Sequence, residues 1–320
     1  MTPSQLKAFL TTVRLGSVKA AAADLAVSEA AVSMHVAHLR KELGDQLFTR
    51  TGHGLAFTPG GLRLASRAAE MLGLQDQTVI EVQQAASGRR LLRVAASSLF
   101  AEYAAPGLIE LFAGRADDLD VELSVHDPQR FPRLLHDRVV DVALGPRPAV
   151  VDDALSCTHF LNYQLVGVVG PNHPLAAGAD SVGAAELCQQ TWLLGPSATA
   201  QAGIVHSVLR RIGIPDHNQR IFQSHGASID EAKHGKGVAL AVVFAVRKEL
   251  ASGELVQLNS PLLSARGSWS LLAFDGREAP PAAAELRRFV TTPRAIQAML
   301  RGAGVTAGRF RPAIHVTLWS

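Results

Sequence analysis

Cysteine is scarce in this sequence. Cys157 and Cys188 are the whole complement, and no metal-ligand spacing relates them. That excludes a disulfide scaffold and a zinc ribbon; a reduced, intracellular thiol pair is the expectation, with a redox switch as the alternative. Charge is also sparse, at 18% of residues with a formal net charge of +3, so total charge alone announces no nucleic-acid partner. No apolar run is long enough to span a bilayer. The best candidate, residues 237–246, is stopped by Arg247 and Lys248 and reads as a buried strand. The N-terminal stretch lacks the basic start and unbroken apolar core of a secretory signal, which makes a cytoplasmic protein without membrane attachment the expectation. A Gly-x-Ser-x-Gly elbow, a His-Glu-x-x-His pair and a phosphate loop are missing too. The turn Gly235-Lys236-Gly237 has no strand before it and is no dinucleotide loop. No catalytic residue, metal or cofactor is expected.

What is present is a globular composition, 48% apolar over 320 residues, enough for two or three units that each bury a core. Residues 1–58 hold short amphipathic segments with basic residues at Arg40, Lys41 and Arg50. Residues 59–88 form one long helical pattern, residues 89–300 alternate strands with helices, and residues 301–320 make a tail. In the first zone Thr2, Pro3 and Gln5 form a helix start, followed by Leu6, Phe9, Leu10 and Val13 on one face. Gly16 ends that helix and Ser17 caps an alanine-rich second one. Ser28 caps a third, in which Val32, Val36, Leu39 and Leu43 share an apolar face that Gly44 terminates.

The outer face of that third helix carries Ala30, Met34, Ala37, His38 and Lys41, with Ser33 at its flank. Two helices joined by a short turn, the second small and polar outside, make a helix-turn-helix pattern. An ordinary bundle with a solvated face fits the same periodicity. His35 and His38 lack a third ligand nearby, so they read as DNA-facing or solvated groups. Beyond Gly44, two apolar pieces flank Arg50-Thr51-Gly52-His53-Gly54 and read as a hairpin wing that sets Arg50 and His53 against phosphates.

Taken together, residues 17–28 (SVKAAAADLAVS), Ala31-Val32-Ser33, 39–44, Leu47-Phe48-Thr49-Arg50 and 55–61 resemble the LysR-type transcription regulators in order and spacing. The resemblance implies a winged helix-turn-helix that binds double-stranded DNA at an inverted-repeat promoter site, a linker helix, and a two-lobed, periplasmic-binding-protein-like α/β effector domain. It implies lobe I over 89–163 and 269–300 and lobe II over 164–268. Partners it implies are a small-molecule effector, a second or further copies of the chain as homodimer or homotetramer, and RNA polymerase. The DNA-facing set is then Ser17, Ser28, Glu29, Ala30, Ala31, Ser33, Met34, His38, Lys41, Arg50 and His53. The family's usual glutamine, proline and arginine are replaced by Glu29, Ala30 and Met34. A carboxylate accepts from cytosine and a thioether packs on a thymine methyl, so a shifted half-site preference is expected. Glu29 also suits the positive end of the helix dipole.

Along the linker, Leu62, Ala65, Ala69, Leu72, Val79, Val82 and Ala86 repeat at steps of three and four, with one turn skipped at Asp76. This is a coiled-coil-like seam, expected to pack on the same helix of a second subunit or else on the chain's own sensor domain. In the third zone strands are expected at 91–95, 121–125, 140–145, 165–169, 192–194, 220–223, 238–243, 255–258 and 268–274. Helices are expected from Ser97 to Ala113, over 131–137 and over 282–299. Open α/β sheets bind ligands at strand C-termini. The effector candidates are therefore Ser97, Ser98, Asp127, Gln129, Gly145, Arg147, Gly195, Ser197, Ser224 and His225. Ser97 and Ser98 stand before a helix, where an anion is favoured, although a serine there is more often a plain N-cap. Arg147 between two prolines suits a carboxylate or phosphate, or a solvated loop. The alternating apolar residues of the tail read as an added strand or docking arm. Such an ending resembles that of members similar to carbon-fixation regulators and points to a sugar-phosphate or organic-acid effector, an organic or phosphorylated anion.

Two other classes compete. A solute receptor without a DNA role is opposed by the first zone and the missing export signal, and an α/β enzyme by the absent catalytic motifs. A duplex holding an inverted repeat from the protein's own upstream region is expected to bind with affinity that falls steeply with salt. Gel shifts should show this binding vanish when residues 1–60 are removed; a truncated chain that still shifts the fragment would end the helix-turn-helix reading.

Overall fold

The computed structural model describes residues 1–51, 54–179 and 182–301. The chain divides into two compact units, Met1–Gly88, with which His136–Val139 groups, and a larger one from Arg89 on. In the first, α1 (Pro3–Leu15), α2 (Val18–Asp24) and α3 (Glu29–Leu43) precede a hairpin of β1 (Phe48–Thr51) and β2 (Gly54–Phe57), then α4 (Pro59–Ser87). The caps follow the sequence. Thr2 and Gln5 form a capping box, Ser17, Ser28 and Thr58 each accept from a backbone amide of the following turn, and Gly16, Gly44 and Gly88 end helices in the left-handed region. Leu6, Phe9, Val36, Leu39, Leu47 and Phe48 close one core, and Ala8, Val18, Ala21, Ala22 and Val32 another. Leu43, expected on the buried face, is 41% exposed because the last turn of α3 outruns the core. Ala26, in the turn before α3, has φ +53, a left-handed conformation that its Cβ opposes.

The junction from wing to α4 is tight. Thr58 Oγ1 donates to Asp45 Oδ1 at 2.6 Å and accepts from the Gly61 amide at 2.9 Å. Asp45 Oδ1 also accepts from the Leu47 amide at 2.6 Å. These hydrogen bonds hold the Asp45 carboxyl below the usual aspartate range. Gly61 lies so near the Leu47 carbonyl that a Cβ would stand 1.8 Å from its oxygen, and a Cβ on Gly60 would meet the Asp45 carboxylate.

The larger unit runs through β3 (Arg90–Ala96), α5 (Ser98–Tyr103), α6 (Ala105–Ala113), β4 (Leu119–Val125), α7 (Phe131–His136), β5 (Val142–Gly145) and β6 (Leu155–Val169). It continues with α8 (Ala184–Cys188), β7 (Trp192–Leu194), α9 (Ile204–Ile212), β8 (Gln219–Ile221), α10 (His225–Lys233) and β9 (Val238–Val242). It closes with α11 (Arg247–Ser252), β10 (Val256–Leu258), β11 (Ala265–Phe274), α12 (Pro281–Val290) and α13 (Pro293–Arg301). The sheet order is β4-β3-β5-β11-β6-β9-β7-β8, with β10 also on β6. Strands β4-β3-β5 are parallel, as are β9-β7-β8. Between these half-sheets β6 and β11 run antiparallel from Ala265 opposite Leu165 to Phe274 opposite Leu155, with a bulge at Trp269/Ser270. Two lobes therefore share two long strands. At the crossing Trp269 stacks on Tyr163, centroids 4.4 Å apart, and takes the edges of Phe100 and Phe244.

Three expectations need correction. The helix expected from Ser97 to Ala113 is two, α5 and α6, because Pro106 in the first turn of α6 brings no amide and its ring crowds the preceding turn. The helix expected over 282–299 likewise breaks into α12 and α13 before Pro293. The strand expected at 165–169 starts ten residues earlier, at Leu155. Among the described residues no helix is long and apolar enough to cross a membrane. The tail beyond Arg301 lies outside the described residues.

Gly61→Ala is expected to lower stability by about 1–3 kcal/mol, the usual cost of overpacking a closed contact. Ala26→Gly should raise it by about 0.5–1 kcal/mol, the left-handed penalty less the glycine entropy. Urea midpoints of the N-terminal transition in the full chain read both.

Candidate nucleic-acid interface and ligand cleft

The inner face of α3 is fixed by Val32, Val36 and Leu39, each 3% exposed or less. That leaves Ser28, Glu29, Ala30, Ser33, Met34, Ala37, His38 and Lys41 facing solvent, with Ala31 half-buried. Met34 is 51% exposed, unusual for a thioether without a packing partner. Ser17 and Ser28 each use a hydroxyl lone pair as a cap, on the amides of Ala20 and Ala31. Arg50 stands in β1 opposite Leu55, while His53 lies outside the described residues. Arg40, grouped with the basic residues of this zone, turns inward. Its guanidinium donates to the Gln46 and Phe48 carbonyls, both at 2.7 Å, and sits over the Phe48 ring.

In the larger unit a cleft of about 550 Å³ opens where loops leave the C-termini of the parallel strands, within the usual range for small-molecule sites. Ser97, Ser98, Asp127, Gln129, Arg147 and Ser197 line it together. Gly145, Gly195, Ser224 and His225 do not. Gly145 backs Ser97, where a Cβ would come 2.9 Å from its hydroxyl, and Gly195 lies flat on the His225 ring. Ser224 caps α10 through the Ala227 amide at 3.1 Å. Tyr163, His126, Thr199, Ser207, Arg266 and Ser268 line the cleft without having been singled out in the sequence. Arg266 and Ser268 sit on β11, whose run through both lobes is what brings them there.

Ser97 is the N-cap residue of α5, yet its hydroxyl makes no capping bond; 6% exposed, its Oγ has no partner among the described residues. A buried hydroxyl is costly to leave unpaired, so Ser97 Oγ is suited to hydrogen-bond a ligand at the cleft wall. Arg147 and Arg266 are exposed into it, and neither has an ion pair among the described residues. Asp127 is occupied locally, accepting from the Gln129 amide at 2.8 Å. Burial, aided by nearby Arg130, pushes the His126 imidazole below its ordinary value. The cleft can therefore neutralise negative charge at two guanidinium groups and offer hydroxyls between them.

Directly behind Ser197 stands a connection between the lobes. His225, 2% exposed, sets Nε2 at 2.9 Å from Ser197 Oγ and Nδ1 at 2.8 Å from Glu102 Oε2. Glu102 comes from α5 and His225 opens α10, so the pair ties two helices across the crossing strands. The Glu102 carboxylate also accepts from the backbone amides of His225 at 2.8 Å and Gly226 at 2.6 Å, closing the α10 N-terminus. Burial raises the Glu102 pKa, but the hydrogen bonds from His225 and Gly226 outweigh it and hold the carboxyl below its ordinary range.

Comparison with known proteins places both units. Residues 3–62 match the model of the bacterial regulatory helix-turn-helix proteins of the lysR family, and residues 85–293 match the LysR substrate binding domain. An uncharacterised HTH-type transcriptional regulator of Mycobacterium tuberculosis is 57% identical over 323 aligned positions, covering 100% of both chains. The RuBisCO operon transcriptional regulator of Allochromatium vinosum is 27% identical over 294 positions, 91% of this chain and 96% of that one. Among solved structures, full-length CbnR complexed with target DNA superposes with a TM-score of 0.56 at 17% identity, over 91% of this chain and 100% of that chain.

Glu102→Ala should cost about 2–4 kcal/mol, because it strands two amides and an imidazole. The wild-type contribution is complete above the ordinary glutamate value of 4.5 and is lost as pH falls through the lower native value. Unfolding of wild type and variant between pH 3 and 7 should therefore converge at the acid end.

Proposed function

The chain belongs to the LysR family of bacterial transcription regulators, and on that premise we propose how its surfaces divide the work. α3 enters the major groove of double-stranded DNA, with Glu29, Ala30, Ser33, Met34 and His38 reading base edges. Ser17, Ser28, Ala31, Lys41, Arg50 and the wing fix its register on phosphates. The observation that carries this reading is the two-faced α3, apolar where it meets the core and small and polar where it meets solvent. Arg40 takes no part, since it is committed to the wing's own backbone.

A single α3 covers one half-site, so a second copy is needed for an inverted repeat. The seam on α4 supplies the contact, but not along its whole length. Ala65 and Leu72 pack on the chain's own N-terminal core, whereas Val79 and Val82 are 50% and 64% exposed; Leu62, in the first turn, is 60% exposed but stands apart from them. The C-terminal half of α4 is therefore the dimer contact, from which a tetramer can be built. The larger unit takes a small organic or phosphorylated anion in the cleft between its lobes, with Ser97, Arg147 and Arg266 as anchors. RNA polymerase is the expected partner at the promoter, and the cytoplasm the compartment. In this reading residues 1–58 bind DNA, 59–88 pair subunits and 89–300 sense the effector.

The experiment is a binding-site library probed with two variants. Arg50→Ala should weaken binding to all sequences alike, while Met34→Arg should change the preferred base at one position by about 1–3 kcal/mol. Equal behaviour of the two would overturn the division between register and readout. Val79→Glu with Val82→Glu should yield monomers by light scattering and lose cooperative operator binding; an unchanged oligomer would place the seam elsewhere.

A further inference from the structure

We propose that the Glu102–His225–Ser197 chain sets the hydrogen-bond polarity of the cleft, so that an anionic effector is bound together with a proton on His225. The inference rests on the cleft being the effector site and adds the chemistry by which it selects its ligand.

The argument follows the hydrogens. Glu102 is an ionised carboxylate that receives two backbone amides, so it can only accept, and His225 Nδ1 must carry a proton toward it at 2.8 Å. In a neutral imidazole Nε2 is then a bare acceptor. Ser197 has one hydroxyl hydrogen and must give it to Nε2 at 2.9 Å. Only lone pairs of Ser197 remain for the cleft, and these oppose a carboxylate or phosphate oxygen. When His225 is protonated the bond reverses. Nε2–H donates to Ser197 Oγ, and the hydroxyl hydrogen is released into the cleft as a donor. One proton on a side chain that the ligand never touches turns a repelling position into a binding one.

The other groups around His225 do not take over this role. Tyr103 of α5 lies 5.8 Å away, ring to ring, and burial raises its hydroxyl so that it stays neutral in the range where imidazoles titrate. From the loop after β7 the ring meets bare backbone at Gly195. Within α10 the Ser228 hydroxyl donates to the His225 carbonyl at 2.7 Å. The charges of α10 gather toward its far end, where Lys233 is within 3.6 Å of Asp230, Glu249 and Glu254. Glu102 is thus the charged group in contact with His225. Arg147, Arg266 and Asp127 are the charged side chains lining the cleft, and the imidazoles that bear on it are His225, behind Ser197, and the lining His126.

The selection has a direction. An anion gains a donor as pH falls, whereas a neutral ligand rich in hydroxyl donors is served by the unprotonated state. Ligand charge and proton uptake are linked, and each promotes the other to the same extent.

The test is calorimetric titration of the full chain with sulfate, which keeps the same charge from pH 6 to pH 8. Affinity of the wild type should fall by about tenfold or more over that interval, toward the limit of tenfold per pH unit for one linked proton. His225→Gln should bind with a dependence of no more than about twofold, and His126→Gln should keep the wild-type slope. Side-chain nitrogen shifts of His225 in the wild type give a reading that no variant can disturb. They should show Nδ1–H alone in the free protein at pH 8 and both nitrogens protonated once sulfate saturates. A flat wild-type profile, a slope that survives in His225→Gln, or a ring still neutral with sulfate bound would overturn the relay and leave the cleft intact. Sulfate that fails to bind, or that binds equally well in Arg147→Ala, would instead remove the cleft as the anion site, and the relay with it.

Discussion

The ladder between β6 and β11 is the member from which both lobes are hung. Its register runs from Ala265 opposite Leu165 to Phe274 opposite Leu155, longer than any other pairing in the larger unit. A parallel half-sheet is attached at each side, through β5 on β11 and through β9 on β6. Because the long strands are antiparallel, the half-sheets point their C-terminal ends toward a common gap. The residues that matter there come from loops with little in common in sequence. The bulge at Trp269/Ser270 and the stack of Trp269 on Tyr163 place a rigid aromatic floor where the two halves meet.

A second constraint acts at the ends of helices. In the N-terminal unit every helix start is met by a hydroxyl from its own chain neighbours, at Thr2, Ser17, Ser28 and Thr58. In the larger unit side-chain caps are rarer, and α6, α9, α11 and α12 start without one. Ser97 stands in the cap position without making the bond, and α10 receives a carboxylate from α5 in addition to its own Ser224. The missing cap leaves a hydroxyl available in the cleft, and the added one fastens the lobes near it. Ser97 lines the cleft itself, and the Glu102 carboxylate reaches it through His225 and Ser197.

Much of this was legible in the sequence, and the failures have physical causes. The three N-terminal helices and the wing follow from capping residues and apolar spacing because each is a local pattern. The strands β3, β4, β5 and β7 were legible for the same reason, and with them the loops carrying Ser97, Ser98, Asp127, Gln129, Arg147 and Ser197. The first part of β6 was hidden, since residues 156–159 alternate no apolar face and owe their strand state to β11. The breaks at Pro106 and Pro293 were signalled by the prolines and overridden by apolar periodicity on either side. Arg40 was grouped with Lys41 and Arg50 as one of the basic residues of its zone because nothing local reveals the two carbonyls that hold it. Glu102 could not have been found: its partner His225 is 123 residues away, and only the crossing of the lobes brings them together.

The close approach of Gly60 and Gly61 to Asp45 and Leu47 has a consequence for anyone recombining modules of such proteins. With no side chain at Gly60 or Gly61, α4 and the hairpin are keyed to each other as one machined part. A chimera spliced at Thr58 would pair a foreign helix start with this hairpin and inherit a mismatched fit. Splicing at Gly88, where the helix ends in the left-handed region and a Cβ would meet nothing within 4 Å, carries the keyed surfaces across intact.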